Sequence, residues 1–311
     1  MFAVTTLNTI LKWSGELKAE RNKRKRSMNK LLKGKPAADA IDEQMSARIQ
    51  KFYERGIVPT LAIVRVGENP SDIAYENGAV KKAKKIGVQP EKFICDEKIE
   101  EEDLIAVIES INNNKQIHGI LLLQPLPAHI DSEKVRNAIA AEKDLDCISD
   151  DALGRFFTGK KDAFAPCTAE SCIEILKHYG VEISGKRAVV IGRSMVIGKP
   201  AALMLMKENA TVAVCHTKTR PEDLRNLCID ADIIVAAAGK AGTLTDEMTG
   251  PGQVIVDVGI NFDEEGKMTG DVAVSDDARV WLTPVPGGVG SMTTSILMKH
   301  LIEAAEAQIE L

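Results

Sequence analysis

Residues 187–198 read RAVVIGRSMVIG, and this stretch decides the fold. Its first five residues predict a buried strand, and a helix is predicted to follow over residues 200–207. A glycine turn between a strand and a helix is where dinucleotide-binding folds hold their phosphates. Gly192 permits the tight turn, and Gly198 lets the helix pack closely. Because Ser194 stands at the usual middle glycine, the pattern alone also fits an ordinary turn.

The end of the next strand indicates the type of dinucleotide. NAD enzymes usually carry an acidic residue there, which holds the ribose hydroxyls. Residues 215–220 read CHTKTR instead, with hydroxyls and cations but no acid. With Arg193 nearby, Thr217 and Lys218 suit the 2′-phosphate of NADP better than a ribose diol. A solvated basic loop would have the same composition.

Strands and helices alternate along the chain from about Lys35 onward. Apolar runs, with their glycine and proline stops, predict helices over 36–55, 71–86, 101–112, 200–207, 221–228 and 295–307, and strands over 60–66, 92–95, 119–123, 187–191, 210–215, 232–237 and 254–258. This alternation is typical of βαβ units and a parallel sheet. The 311 residues are enough for two domains, so we predict a two-domain α/β fold with a Rossmann-type half.

The first 27 residues differ from the rest. They end in the basic run Arg21-Asn22-Lys23-Arg24-Lys25-Arg26, shortly before Met28. A secretory signal would place its charge ahead of its apolar stretch, and the acidic Glu16 and Glu20 do not suit a mitochondrial presequence. We expect residues 1–27 to be an extension, disordered or loosely helical, ahead of a second start site at Met28. A basic arm that binds a polyanion is the alternative.

Composition excludes several classes of protein. The net charge of −5 argues against a nucleic-acid binder with a global basic field, and no apolar run is long enough to span a membrane. The six cysteines form no CxxC pair and have no histidine at zinc-ligand spacing. We therefore expect reduced thiols, a cytoplasmic protein and no bound metal.

A set of short motifs, in order and at matching spacing, resembles one family from about Leu31 to the last helix. That family is the bifunctional methylenetetrahydrofolate dehydrogenase/methenyltetrahydrofolate cyclohydrolases. The matching stretches are Leu32-Lys33-Gly34-Lys35-Pro36, Leu61-Ala62-Ile63-Val64, Val66-Gly67, Asn69-Pro70-Ser71, Tyr75, Pro125-Leu126-Pro127, Lys143-Asp144-Leu145-Asp146, Pro166-Cys167-Thr168, Gly192-Arg193-Ser194, Asp257-Val258-Gly259-Ile260-Asn261 and Thr283-Pro284-Val285-Pro286-Gly287-Gly288-Val289-Gly290.

The resemblance implies a domain plan and an assembly. Residues 28–146 with the C-terminal helix 295–311 would form an α/β folate-binding domain, and residues 147–290 a Rossmann domain that binds NADP. The active site would lie in the cleft between them. The resemblance also implies a homodimer formed through the Rossmann domains.

The resemblance further implies the reaction and the site residues. The chain would oxidise methylenetetrahydrofolate with NADP in one-carbon metabolism, which asks the protein mainly to position two ligands. Catalysis would involve Tyr75 and Asp146, and helix geometry adds Lys82 as a candidate substitute for a missing family lysine. The folate would contact Tyr75, Gln124, Asp146, Pro286, Gly287 and Gly288. The cofactor would contact Gly192, Arg193, Ser194, Ile197, Gly198, Thr217, Lys218 and Ile260.

Two departures from the family pattern put the cyclohydrolase step in doubt. The family has a lysine four residues after the tyrosine, where this chain has Ala79, and a glutamine where it has Leu123. Gln124 comes one residue later, and such a step on a strand turns the side chain to the opposite face. Lys82 lies on nearly the same helix face as Tyr75 and could reach back over Ala79. Solvation of the helix surface is the alternative role for this lysine.

Two other functions remain open on the sequence. One is a folate- or nucleotide-binding protein that has lost catalysis, and the other is a different two-domain Rossmann dehydrogenase, such as a shikimate type. Retention of both the Gly192 loop and the Pro286-Gly287-Gly288 loop disfavours the first. A panel of substrates would distinguish the second.

Overall fold

The computed structural model describes residues 29–309, so the predicted extension 1–27 lies outside the described residues. Its main elements, in chain order, are β1 (Lys30–Leu31), α1 (Gly34–Glu54), β2 (Thr60–Val66), α2 (Pro70–Ile86), β3 (Gln89–Cys95), α3 (Glu101–Asn113), β4 (Gly119–Leu122), α4 (Ser132–Asn137), α5 (Asp150–Phe157), α6 (Cys167–His178), β5 (Arg187–Ile191), α7 (Gly198–Lys207), β6 (Thr211–Cys215), α8 (Pro221–Ile229), β7 (Ile233–Ala236), β8 (Leu244–Thr245), β9 (Val254–Asp257), β10 (Asn261–Phe262), β11 (Met268–Thr269), β12 (Val272–Ala273), β13 (Trp281–Leu282) and α9 (Thr293–Gln308).

A three-stranded parallel sheet forms the first layer. β2 is central, with β3 on one side and β4 on the other. Every residue of β2 and β4 is buried, as expected for parallel strands covered on both faces. β3 is an edge strand, and its polar start at Gln89-Pro90-Glu91 explains why the sequence predicted the strand only from residue 92.

A six-stranded parallel sheet forms the second layer, in the order β1-β13-β9-β7-β5-β6. β5, β7 and β9 are buried almost throughout and carry the Rossmann-type core. The predicted two-domain α/β fold with parallel sheets is confirmed, and the predicted elements have bounds within three residues of those observed. The two-residue strands β1 and β13 and the helices α4 to α6 were not predicted.

The C-terminal helix α9 returns to the start of the chain. It packs against α1 and α6, and its residues Ile296, Leu301 and Ile302 are buried in the core that these helices share. Arg48 of α1 forms an ion pair with Glu306 of α9. This packing places the beginning of α9 beside α2 and beside the loop that leads into α9.

Among residues 29–309, no helix is long and apolar enough to cross a membrane. The same residues contain no group of three or more His, Cys, Asp or Glu side chains arranged to hold a metal ion.

Candidate active site

The glycine loop after β5 is built for close backbone packing. Gly192 has a φ of 143°, and a Cβ added there would overlap the carbonyl oxygen of Ala237 and lie 2.9 Å from its carbon. A Cβ at Gly198 would overlap the carbonyl of Gly192 and approach the amide nitrogen of Arg193 to 2.7 Å. The Ser194 hydroxyl accepts a hydrogen bond of 3.2 Å from the Ile197 amide at the start of α7. Such a tight loop at a helix N-terminus fits a pyrophosphate.

The basic corner predicted for a 2′-phosphate lies beside this loop. β5 and β6 are paired in register, and the Gly192 amide donates to the carbonyl of Cys215 over 2.9 Å. The turn after β6 is held by bonds from the His216 amide to Thr219 and from the Lys218 amide to His216. Arg193, like Thr217 and Lys218, is exposed. The structure therefore brings all these predicted cofactor residues to one edge of the sheet.

A cleft of 600 Å³ joins this edge to the N-terminal part of the chain. Its lining includes Tyr75, Asp146, Thr168, Ile197, Ile260 and the segment from Pro284 to Gly290. The structure thus brings Tyr75 and Asp146 together with the predicted Pro286-Gly287-Gly288 loop and two of the predicted cofactor residues. An organic ligand entering the cleft would contact groups from α2 and α6 as well as the loops that follow β9 and β13.

Two buried aspartates hold the loop that presents Ile260 to the cleft. Asp257 accepts hydrogen bonds from the amides of Gly259, Asp271 and Val272 at 2.9 to 3.1 Å. Asp271 in turn accepts from the amides after β7 and from the Asn261 side chain. Ile260 remains 65% exposed at the tip of this fixed loop. An apolar side chain so placed suits contact with a flat ring.

The proline–glycine loop is fixed against the start of α1. A Cβ at Gly288 would lie 2.6 Å from the carbonyl oxygen of Pro284, and Gly287 has a φ of 101°. The Gly34 amide donates to the carbonyl of Gly287 over 2.8 Å, and any side chain at Gly34 would overlap Gly288. The matched motif around Gly34 therefore shapes the wall of the cleft.

Tyr75 and Asp146 form the polar side of the cleft. Tyr75 is 40% exposed, and burial of its hydroxyl together with the charge of Asp146 raises its pKa above the ordinary value. It therefore stays a neutral phenol that can donate or accept a hydrogen bond. One oxygen of Asp146 accepts from the Cys167 amide over 2.9 Å at the start of α6. Burial raises the pKa of Asp146 above its ordinary value, and this effect exceeds the lowering by Cys167 and His300.

Two other predicted residues do not line this cleft. Gln124 lines instead a smaller cavity of 240 Å³, which shares Asp146 with the cleft. The ammonium of Lys82 lies 2.6 Å from Asp42 and 3.0 Å from the hydroxyl of Ser295, between α1, α2 and α9. It pairs with a buried carboxylate, which is a strong partner, and Lys82 is not among the residues that line the cleft.

The two residues that replace the family's hydrolytic pair are inert. Ala79 is fully buried beneath the helix face of Tyr75, and Leu123 is buried at the end of β4. Neither side chain carries a group that can move a proton.

Sequence reasoning missed the groups that support Asp146 from behind. Cys167 and Glu170 of α6 and His300 of α9 are all buried. The two helices are far apart in the sequence and come into contact only in the folded chain. The one available signal was the Pro166-Cys167-Thr168 motif, which was matched without a role.

The arrangement provides positioning rather than strong acid–base chemistry. One wall of the cleft has the phenol of Tyr75 and the carboxylate of Asp146, and the rest of the lining has apolar side chains such as Ile260 on rigid loops. The glycine loop after β5, which suits a phosphate, lies at one end. Such a cleft can hold two flat ligands face to face, which is the requirement for hydride transfer.

Comparison with known proteins assigns both parts of the chain. Residues 32–146 match the family model described as tetrahydrofolate dehydrogenase/cyclohydrolase, catalytic domain, and residues 166–309 match the NAD(P)-binding domain of the same description. The bifunctional protein FolD of Alkaliphilus metalliredigens is 46% identical over 284 residues, which cover 90% of this chain and 99% of that protein.

Solved structures agree. The bifunctional enzyme FolD of Campylobacter jejuni superposes with a TM-score of 0.85 at 36% identity, covering 89% of this chain and 98% of that one. The Trypanosoma brucei methylenetetrahydrofolate dehydrogenase-cyclohydrolase, solved with NADP and an inhibitor, has a TM-score of 0.83 at 31% identity and covers 91% and 99% of the two chains. The chain described here belongs to the tetrahydrofolate dehydrogenase/cyclohydrolase family.

Proposed function

We propose that this chain is an NADP-dependent methylenetetrahydrofolate dehydrogenase of one-carbon metabolism. The observation that carries the proposal is the single cleft onto which Tyr75, Asp146, Ile197 and Ile260 all open. Asp146 suits the amino-pyrimidine edge of a pterin, because a carboxylate accepts hydrogen bonds from such an edge. The family membership supports the same assignment.

The chain's residues then divide the work. Gly192, Ser194 and Gly198 would receive the pyrophosphate, while Arg193, Thr217 and Lys218 would bind the 2′-phosphate. NADP, when bound, supplies the nicotinamide that takes up the hydride. Ile260 and Ile197 would pack against that ring, and Pro286, Gly287 and Gly288 would press the folate toward it. Tyr75 would stack on the folate and keep the folate in position.

We further propose that hydrolysis of methenyltetrahydrofolate is weak or absent. Water attack and ring opening need proton transfer, and neither Ala79 nor Leu123 can provide it. The ammonium of Lys82 is engaged by Asp42, and Gln124 lines a neighbouring cavity instead of the main cleft. Hydride transfer does not need these groups, because the folate nitrogens stabilise the cation that forms.

The hydrolytic proposal is tested by following methenyltetrahydrofolate loss with the unmodified protein, Lys82→Ala and the matched neighbour Lys81→Ala. We expect all three to stay at the spontaneous rate of hydrolysis. Hydrolysis lost only in Lys82→Ala would show that this lysine leaves Asp42 and serves the site. Robust hydrolysis in all three would show that an unidentified group carries the step.

The division into domains and the assembly are part of the same proposal. Residues 28–146 with 295–311 would bind folate and residues 147–290 would bind NADP, in a cytoplasmic homodimer. Two exposed apolar side chains, Val214 on the edge strand β6 and Met206 on the adjoining α7, support a contact there between copies. The six free thiols support a reducing compartment. Light scattering of the purified protein measures the mass of the assembly.

A further inference from the structure

A buried charged cluster lies directly behind the cleft. Glu170 of α6 binds both Lys299 and His300 of α9: one carboxylate oxygen lies 2.6 Å from the Lys299 ammonium, and the other lies 2.9 Å from Nε2 of His300. His300 is 1% exposed and stacks on Phe164 with ring centroids 4.9 Å apart. Buried charges are costly unless they are paired, so this cluster requires an explanation.

The surroundings of His300 indicate that it is protonated. Its Nε2 faces the Glu170 carboxylate, and its Nδ1 lies 2.7 Å from the carbonyl oxygen of Leu145. Both neighbours only accept hydrogen bonds, so both ring nitrogens must carry hydrogen. Burial by itself lowers the pKa of His300, but the charge and hydrogen bond of Glu170 raise it above the ordinary value. Burial raises the pKa of Glu170, but His300 and Lys299 together lower it to about 2.

Two contacts connect this imidazolium to Asp146. The carbonyl that it holds belongs to Leu145, one peptide bond before Asp146. Cys167, whose sulfur lies 3.7 Å from Nδ1 of His300, donates its amide to the Asp146 carboxylate. The loop that carries Asp146 is therefore clamped between the first turn of α6 and the middle of α9.

We propose that His300 is a positioning residue for folate binding, which holds the Leu145–Asp146 loop in place and keeps Asp146 in the carboxylate form that accepts hydrogen bonds from the pterin. The proposal rests on the anchoring role given to Asp146 above. His300 does not line the cleft and acts only through Asp146. Glu170 serves as the fixed counter-ion that keeps the imidazolium charged.

The sign of the expected pH effect follows from the groups around the cluster. Two helices contribute charged or titratable groups to it: Cys167 and Glu170 from α6, and Lys299 and Glu303 from α9. The loop between α4 and α5 contributes Asp144 and Asp146, and Tyr75 of α2 faces Asp146. Because burial raises the pKa of Asp146 and the positive His300 lowers it, loss of that charge must raise it further. As the pH is lowered, a variant without this charge should therefore lose folate binding at a higher pH than the unmodified protein does.

The experiment measures the KM for methylenetetrahydrofolate from pH 5.5 to 8.5 in the unmodified protein, His300→Gln and Glu170→Gln. His300→Gln keeps an N–H that can reach the Leu145 carbonyl but removes the charge. We expect the acid limb of its KM–pH profile to move up by at most about one pH unit, at the low end of the ~1–3 units by which a nearby opposite charge shifts a carboxyl pKa, because Cys167 lowers the pKa of Asp146 more than His300 does. Glu170→Gln should move the limb in the same direction, and the KM for NADP should change less than about twofold in both.

Lys299→Gln is the matched control, because it removes the other partner of Glu170 without touching the Asp146 loop. Its acid limb should stay within about 0.3 of a pH unit of the unmodified protein's. A KM that does not change at any pH in His300→Gln and Glu170→Gln would show that the positioning role is wrong. A KM that rises by one constant factor at every pH would show that the His300 charge does not keep Asp146 ionised, which also contradicts the proposal. Asp146→Asn distinguishes a failure of this proposal from a failure of the proposed dehydrogenase activity. An unchanged KM for methylenetetrahydrofolate in this variant would show that Asp146 does not anchor the folate, while NADPH formation would still support the dehydrogenase activity.

Discussion

Replacement of Gly192 by alanine tests the phosphate loop most sharply. The φ of 143° at this position is one that L-residues rarely adopt, and forcing a side chain into it costs about 1–3 kcal/mol. The new Cβ would also overlap the carbonyl of Ala237, at the end of the neighbouring strand β7. Relief of such a clash by backbone shifts typically costs a further ~1–3 kcal/mol. We expect a total destabilisation of about 2–6 kcal/mol, with the loop displaced from its phosphate-binding shape.

Gly252→Ala is the matched control for this change. Gly252 also has a left-handed φ, 88°, but a Cβ there would meet nothing within 4 Å, and it lies at the opposite edge of the same sheet. It should lose only about 1–2 kcal/mol of stability and keep its KM for NADP. The assay is thermal unfolding with and without NADP, together with steady-state NADPH formation. An unchanged NADP KM in Gly192→Ala, with stability equal to that of the control, would refute the loop assignment.

Three further predictions concern cofactor choice, the extension and acid stability. Arg193→Ala should raise the KM for NADP by about tenfold or more and leave the KM for NAD nearly unchanged, since a charge-assisted bond to phosphate contributes about 1.5–3 kcal/mol; equal use of both cofactors by the unmodified protein would refute this. A chain that starts at Met28 should fold and keep its dehydrogenase activity, as judged by circular dichroism and NADPH formation; loss of either would show that residues 1–27 belong to the folded enzyme. Because the pKa of Glu170 is lowered to about 2, its ionised form stabilises the fold above pH ~4.5, and this contribution fades as pH falls toward 2. The free energies of unfolding of Glu170→Gln and of the unmodified protein, measured as the pH is lowered, should therefore converge as the pH approaches 2. A constant difference between them at every pH would refute the pairing.

The framework of the fold was predictable because it depends on local patterns. Continuous apolar runs marked β2 and β5, and glycine or proline stops marked the ends of α1 and α2. These signals do not need knowledge of the neighbours. The short strands β1 and β13 carry no such signal, since two residues in a ladder are defined only by their partner.

The site was predictable only in part, for the same reason. Motifs identified Tyr75, Asp146 and the Gly192 loop, and the structure places them around one cleft. The position of Lys82 depended on Asp42, a partner forty residues away that no helix-face argument reveals. His300 was missed because its partners come from a separate helix and because a histidine on a buried helix face resembles ordinary core.

The most direct test of the account measures two rates on one preparation of unmodified protein. NADPH formation from methylenetetrahydrofolate and NADP reports hydride transfer, and loss of methenyltetrahydrofolate without cofactor reports hydrolysis. We expect rapid hydride transfer, with hydrolysis close to the spontaneous rate. Absence of NADPH formation, or enzymatic hydrolysis as fast as hydride transfer, would contradict it.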